Sequence, residues 1–409
     1  MSRFSPANLD ELRDAIAGAL AAAEPVELVG GGSKRGLGRP LQTAHTLDLS
    51  RLAGIRDYAP SELVLTAGAA TPLAEIERAL GEAGQMLAFE PPDWRGFLGV
   101  PDEDSTGPTL GGILATNLSG PRRITAGAAR DHFLGFHAVS GRGEIFKAGG
   151  KVVKNVTGYD LSKLMAGSYG TLAALEEVTV KVLPRPEAVA TVLFARVEPP
   201  AATALMAAAL GSPHEVSGAA YLPAGTAMPL GVPLRQGTVA LRVEGPGPSV
   251  AFRCDSLLRE HGTAGTAEAL ADADSLAFWR GVAEVAPLAA EGERAVWRIS
   301  VAPARGIEVA EAIARALDAM WLLDWGGGLI WVSVPEIADA GAQVIRRAIR
   351  GADGRGTGHA MLARASPAMR RAVAVFEPQP APLAALSRRV KDAFDPAHIL
   401  NPGRMIEGS

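Results

Sequence analysis

Cysteine is nearly absent: Cys254 is the one thiol among 409 residues. An intrachain disulfide is therefore excluded, and so is an iron–sulfur cluster held by this chain alone, which normally takes several cysteine thiolates. There is no cationic excess either. Charged residues make up 21% and the net charge is −4, which argues against a nucleic-acid binder. Long apolar runs are missing. The greasiest stretch, MWLLDWGGGLIWVSV (320–334), is broken by Asp324 and three glycines and falls short of the ~20 apolar residues of a membrane helix. Asp10, Glu11, Arg13 and Asp14 stand where the apolar part of a secretion signal would be, so the opening segment predicts no signal peptide. The hydrophobic fraction, 48%, suffices for a large core. These bounds point to a cytoplasmic protein of two domains or slightly more, on a prior of ~100–200 residues each.

What the chain has in quantity is glycine, and its clustering organises the sequence. Leu9, Leu12, Ile16 and Leu20 recur at helical spacing behind Ser5-Pro6 and predict a helix to about Ala23. An apolar strand, Val26–Val29, runs directly into GGGSKRGLGRP (30–40). Short strands are predicted within 45–55 and 63–71, a helix over 72–84 stopping at Gly84, and a hairpin over 133–150 turning at Gly141-Arg142-Gly143. The stretch LGGILATNLSGP (110–121) reads as a glycine-broken element rather than an ordinary helix. GYDLSKLMAGS (158–168) predicts a helix and EEVTVKVLP (176–184) a strand. After Pro184 and Pro186 the text becomes rich in Ala, Pro and Gly. There RAVWRISV, GIEVAEAIARALDAM and GGLIWVSVP form a strand–helix–strand unit. A helix, PLAALSRRVKDAFD, and a turn, PAHILNPGRM, close the chain.

The loop at 30–40 fits neither familiar phosphate fingerprint. A Walker A loop needs a Gly-Lys pair, and here serine precedes lysine. A dinucleotide fingerprint needs a third glycine where Arg35 stands, opening a helix that Gly36, Gly38 and Pro40 would spoil. Two readings remain: a glycine-rich surface turn, or an anion nest of backbone N–H groups in which Ser33 adds a hydroxyl and Lys34 and Arg35 add charge. Three more segments weigh for the nest. PTLGGILATNLSG (108–120), TAGAARD (125–131) and a long run from KVVKNVTGYDLSKLMAGSYGTL to VLPRPE (151–187) again set small residues beside polar ones.

Taken in that order, these four segments resemble the FAD-binding domain of the vanillyl-alcohol oxidase/p-cresol methylhydroxylase superfamily. The phrases KNVTGYDLSKLMAGSYGTL and FDPAHILNPGRM are similar in particular to the FAD-binding subunits of bacterial glycolate oxidases. The resemblance implies an α+β protein: a two-lobed PCMH-type FAD-binding domain over 1–186, an α+β cap domain over 187–381, and a C-terminal segment, 382–409, returning to the FAD domain. It implies that Gly30, Gly31, Gly32, Ser33 and Lys34 cradle the FAD pyrophosphate, with Gly38 and Arg39 on the far side of the loop. Thr109, Gly111, Gly112, Thr116 and Asn117 would lie along the ribityl chain and ring, and Asp131 would support a second wall. Gly170, Thr171 and Leu172 match a turn beside the flavin, and Asn401, in the returning segment, would come near the ring. Ala128, Ala129 and Ala173 stand where the family often has Ser, Thr or Gly. No histidine or cysteine sits in the glycine loop, so non-covalent FAD is expected; His45, His132 and His137 are the nearby histidines.

The resemblance also implies partners: a second FAD-containing catalytic subunit, an iron–sulfur subunit, and through them a place at the inner membrane without a membrane segment of its own. The substrate would be a small 2-hydroxy acid such as glycolate. Related hydroxy-acid dehydrogenases carry a metal-binding GHxGDGNxH segment. The corresponding text here, GRGTGHAMLARAS (354–366), keeps His359 and lacks the other ligands, so no metal is expected and His359 is the one candidate base. Arg298, Arg305 and Arg364 are candidate carboxylate clamps. Besides direct oxidation or electron relay, two readings stay open: a non-catalytic FAD-binding assembly subunit, and an NADPH-dependent flavin reductase of the same fold.

Overall fold

The computed structural model describes residues 2–151, 158–228, 233–234, 236–262, 265–289 and 294–407. The Lys154–Thr157 part of the KNVTGYD phrase lies outside them. The chain forms two units, one of Met1–Leu118, Gly127–Arg185 and Pro378–Ser409, the other of Ser119–Ala126 and Pro186–Glu377.

Among its described residues the first unit carries two main sheets, beside a short antiparallel pair of Gln85–Met86 with Leu183–Pro184. In the smaller, strand His45–Asp48 lies between Ser2–Phe4 and Val26–Val29, all parallel. The larger is antiparallel, with Val64–Gly68, Ala173–Lys181 and Phe133–Ser140 flanked by edge strands Ile55–Ala59 and Ile145–Gly149. The expected hairpin over 133–150 is present. Helix Leu9–Ala22 starts later than predicted because Asn8 caps it, its side chain accepting from the Glu11 amide at 2.9 Å. Its buried stripe, Leu12 and Ile16, packs with Val26, Leu47, Val139 and Ala174 into one core.

Residues 378–409 close this unit. Val26 N–H donates to Ile399 O at 2.8 Å and Asn401 N–H to Val26 O at 3.1 Å, so the returning chain adds to the free edge of strand Val26–Val29. The surface helix Ala381–Phe394 is pinned by a buried ion pair. Lys391 Nζ donates to Asp395 Oδ2 (2.5 Å), Thr171 O (2.7 Å) and Leu400 O (3.1 Å), while the Asp395 carboxylate accepts from the amides of Ile399 and Leu400. Gly141 makes room for it: a Cβ there would lie 2.3 Å from Asp395 Oδ1.

The second unit is an eight-stranded sheet with helices such as Pro199–Leu210, Gly247–His261 and Gly306–Ala316. Its strand–helix–strand motif differs from the expected one by an added strand. Met320–Asp324 and Leu329–Pro335 pair as a hairpin across Trp325–Gly327, so the helix ends at Ala316. The same unit takes in residues 119–126, an excursion from the first domain that the sequence reading did not contain. Several contacts hold this excursion within the unit. Arg122 pairs with Glu244 through two hydrogen bonds (3.0 and 2.7 Å), Trp325 Nε1 donates to Gly120 O (3.1 Å), and the Arg123 guanidinium lies 4.2 Å from the Trp325 ring centre. Arg122 and buried Arg242 together pull the Glu244 carboxyl down to about 2, against its desolvation. Among the described residues no helix is long and apolar enough to cross a membrane.

Candidate functional site

Strand Val26–Val29 delivers the chain into the glycine loop, and contact with other backbone explains the glycines. A Cβ on Gly31 would sit 2.0 Å from Gly107 O; one on Gly30 would meet Thr109 Oγ1 at 2.8 Å. Gly32 has φ +78° and Asp104 O 2.9 Å from its would-be Cβ. The loop thus runs directly against residues 104–109, with Thr106 N–H donating to Gly31 O (3.0 Å) and a parallel bridge between Gly32 and Gly107.

Those residues lead into Leu110–Thr116, which is a regular helix and not the broken element expected from its glycines. Thr109 caps it, accepting from the Gly112 amide at 3.4 Å. Gly111 is a packing residue, because a Cβ there would lie 2.7 Å from both Ala69 O and Ala69 Cβ. In a seven-residue helix a glycine costs about 1 kcal/mol relative to alanine, which that close approach offsets.

Between the loop, this helix and the turn at Gly170 lies an open pocket. Of the residues marked in the sequence, Gly30, Gly31, Gly32, Ser33, Lys34, Arg35, Thr109, Gly111, Gly112, Thr116, Gly170, Ala173 and Asn401 line it. Six others lie elsewhere. Gly38 (φ +76°) and Arg39 clasp the C-terminal turn, with Arg39 N–H donating to Arg404 O at 2.8 Å and Arg39 paired with Glu407. Asn117 ends the helix in a left-handed cap and accepts from the Arg130 amide. Asp131 accepts from the Ala128 amide at 2.9 Å. Thr171 binds Ser168 O within its own turn, and Leu172 is buried.

The structure adds residues the sequence reading missed. Leu28, Leu37, Ala69, Leu175 and Arg404 also line the pocket. Arg404 was legible only as part of the NPGRM phrase. It is buried, donates to Arg35 O (3.0 Å) and Leu37 O (3.1 Å), and pairs with Glu27 at 3.0 Å. Arg35 also lines the pocket and pairs with the same Glu27, so its charge is shared with that carboxylate. Asn401 is equally committed. Its Oδ1 accepts from the Leu28 amide (2.8 Å) and its Nδ2 donates to Tyr169 O (2.8 Å), tying the strand to the Gly170 turn.

Lys34 is different. Its Nζ donates to Ser33 Oγ at 3.1 Å, and burial pushes it down to about 8, with Asp93 only partly opposing. A desolvated ammonium beside close-packed backbone suits an anion that would restore its charge. The other walls, Leu28, Leu37, Ala69, Ala70 and Leu175, suit a flat apolar ring. A flavin dinucleotide presents both, and the residues here fit it.

The comparisons agree. Residues 3–149 match the FAD binding domain family. The chain is 35% identical to glycolate oxidase subunit GlcE of Escherichia coli over 98% of its own length and 97% of that protein's. The chain belongs to the GlcE family. As a member it is an FAD-dependent oxidoreductase with a PCMH-type fold. It is also 30% identical to a D-lactate dehydrogenase of Archaeoglobus fulgidus over 44% of this chain and 38% of that one. Among solved structures, a 4-ethylphenol oxidase from Gulosibacter chungangensis superposes with a TM-score of 0.70 at 15% identity, covering 99% of this chain and 89% of that one; it speaks for the fold alone.

In the second unit, His359 lies exposed on strand Gly358–Arg364. Partial desolvation, Arg298 and Arg123 lower its pKa, while Glu377 opposes. Because the residue is open to solvent, the two cations are the sturdier cause. Arg364 donates to Leu288 O and Ala289 O, and Arg305 to Ile349 O, so two of the three candidate clamps hold backbone carbonyls. Among the described residues no group of three or more His, Cys, Asp or Glu could hold a metal ion.

Proposed function

We propose that this GlcE-family chain binds FAD non-covalently in the glycine-loop pocket and serves a glycolate-type 2-hydroxy acid oxidase together with a second flavin subunit and an iron–sulfur subunit. The full-length likeness to a glycolate oxidase subunit carries this reading. Gly30, Gly31 and Gly32, packed against residues 104–109, would present backbone N–H groups to the diphosphate, with Lys34 and Ser33 supplying a cation and a hydroxyl. Thr109, Gly111, Gly112 and Thr116 would form the wall along the ring, and Asn401 would hold strand and turn in register. FAD supplies the two-electron acceptor for the 2-hydroxy acid. The chain's own work is to bind and orient it in a pocket of small residues.

The test is to purify the chain with co-expressed partners and add glycolate without oxygen. Bleaching of the visible flavin band in the isolated chain supports direct oxidation, and bleaching only with partners supports relay. A chain whose flavin stays oxidised under both conditions would be an assembly subunit, and the redox reading falls. Acid precipitation should release the yellow colour into the supernatant; colour held in the pellet would contradict non-covalent binding.

Lys34 makes FAD uptake pH-dependent. Burial in the flavin-free chain lowers its pKa to about 8, so binding of the diphosphate should take up a proton and affinity should fall as pH rises through 8. Titration of apoprotein with FAD between pH 7 and 10 checks this. Lys34→Met should bind several-fold more weakly at pH 7 and show a flat profile; a wild-type slope retained in the variant would refute the assignment.

A further inference from the structure

We infer that helix Ala381–Phe394 is a docking surface for a partner subunit, and that its occupant is a helix with an apolar stripe edged by carboxylates; that such partners exist rests on the function proposed above. The first support is what the helix buries. Of its 14 residues Lys391 alone is buried, held by Asp395, Thr171 O and Leu400 O. Helices take most of their stability from packing an apolar face, and one of this length is marginal in water by itself. Here polar contacts fix it instead: those of Lys391, and Arg142 Nε, which donates to Ala393 O at 2.8 Å. The helix is therefore held in place while its leucines stay uncovered, Leu383 at 48% and Leu386 at 47% exposure.

The second support is spacing. Leu383, Leu386, Val390 and Ala393 follow one another at intervals of three, four and three residues, the narrow seam along which one helix packs on another. At 1.5 Å per residue the seam is about 15 Å long. Leu383, Leu386 and Ala393 are exposed and Val390 is half-buried. The third support is charge. Arg389 is exposed and borders the seam beside Val390, and Arg142 stands at its Ala393 end. The one carboxylate of the helix, Asp392, is bound to His398 at 2.8 Å. A second copy of this helix would offer these cations no unpaired carboxylate, whereas an acidic edge on a different chain would complement them. A membrane surface fits less well, because a helix lying in lipid needs a broad, bulky apolar face. This seam is narrow and ends on alanine, which lets a second helix come close.

The experiment is co-expression of the full chain with the second flavin subunit and the iron–sulfur subunit, followed by affinity purification and hydrogen exchange. Amides of residues 383–393 should exchange more slowly in the complex than in the free chain. Leu386→Glu should lower partner retention at least about tenfold, as loss of a buried anchor does, with flavin content and melting temperature kept. Ala385→Glu, exposed but off the seam, should retain partners as the wild type does. Arg389→Glu should weaken retention several-fold and Arg389→Lys should not; the fall in wild-type affinity with added salt should flatten in Arg389→Gln. Wild-type retention by both glutamate variants at 386 and 389, with exchange of 383–393 unchanged by the partners, would overturn the site. So would a wild-type chain that retains neither subunit. A dimer of the chain alone that Leu386→Glu dissolves would make the occupant a second copy, and Leu386-dependent sedimentation with phosphatidylglycerol vesicles would make it a membrane; either refutes the partner helix. The two readings fail separately. A complex that parts in Leu386→Glu, with flavin that glycolate never bleaches, keeps the docking face and removes the oxidase; bleaching in a complex indifferent to both substitutions does the reverse.

Discussion

Gly31→Val should leave the chain colourless. The new Cβ would fall 2.0 Å from Gly107 O, and the atom in the way is backbone belonging to the segment that leads into helix Leu110–Thr116. No rotamer relieves that contact, so residues 30–32 and 104–109 must part, and both walls of the pocket move. We expect flavin content below a tenth of wild type after purification, with FAD added during refolding unable to restore it. The second unit shares none of these contacts, so amide hydrogens of strands Arg294–Val301 and Leu329–Pro335 should stay protected from exchange. Gly36→Ala is the control. Its nearest neighbours would be Leu98 side-chain atoms at 3.6 Å or beyond, an ordinary contact, and flavin should be retained. Loss of colour in both variants would mean that loop flexibility, not close approach, is what the glycines supply.

Asp395→Ala should be the most destabilising single change in the first unit. It would leave the Lys391 ammonium buried without its counter-charge and the amides of Ile399 and Leu400 without their acceptor. Breaking one side of a buried pair costs about 3–5 kcal/mol, a fall in melting temperature on the order of 10 °C. Lys391→Met should cost less, because Asp395 keeps its two amide donors. The sign of the pH effect separates the explanations. Burial already lowers the Lys391 pKa, and Asp395 is what raises it. Without Asp395 the folded-state pKa drops further below the unfolded value. Unfolding then takes up a proton between those two values, so the variant regains stability as pH rises through that window. Thermal melts from pH 7 to 10 should therefore show the gap to wild type narrowing; a constant gap would assign the loss to packing alone. Flavin affinity should fall in parallel, because the same turn carries Asn401 and Arg404 to the pocket.

Much of the first unit could be read in advance because its signals are local. The Leu12/Ile16 stripe, the Val26–Val29 strand ending in glycines and the Gly141-Arg142-Gly143 hairpin each depend on neighbours in sequence. Helix Leu110–Thr116 was misread for the opposite reason. Gly111 and Gly112 lower helix propensity, and at Gly111 the compensation is close contact with Ala69, distant in sequence. The cation assignments divide in the same way. Lys34 and Arg35 are neighbours in sequence and both line the pocket, yet Lys34 binds Ser33 while Arg35 is paired with Glu27. Of three candidate clamp arginines, Arg305 and Arg364 hold backbone carbonyls, which no pattern along the chain shows.

The amino-acid sequence alone determined the glycine loop behind the first strand, much of the order of the elements and the family, because glycine spacing, apolar periodicity and the two long phrases are properties of the chain itself. Tertiary structure decided which glycines are indispensable, which charges face the pocket, and that residues 119–126 leave the first unit for the second. Those outcomes depend on which distant backbone comes within a Cβ's reach, and no pattern along the chain encodes that distance.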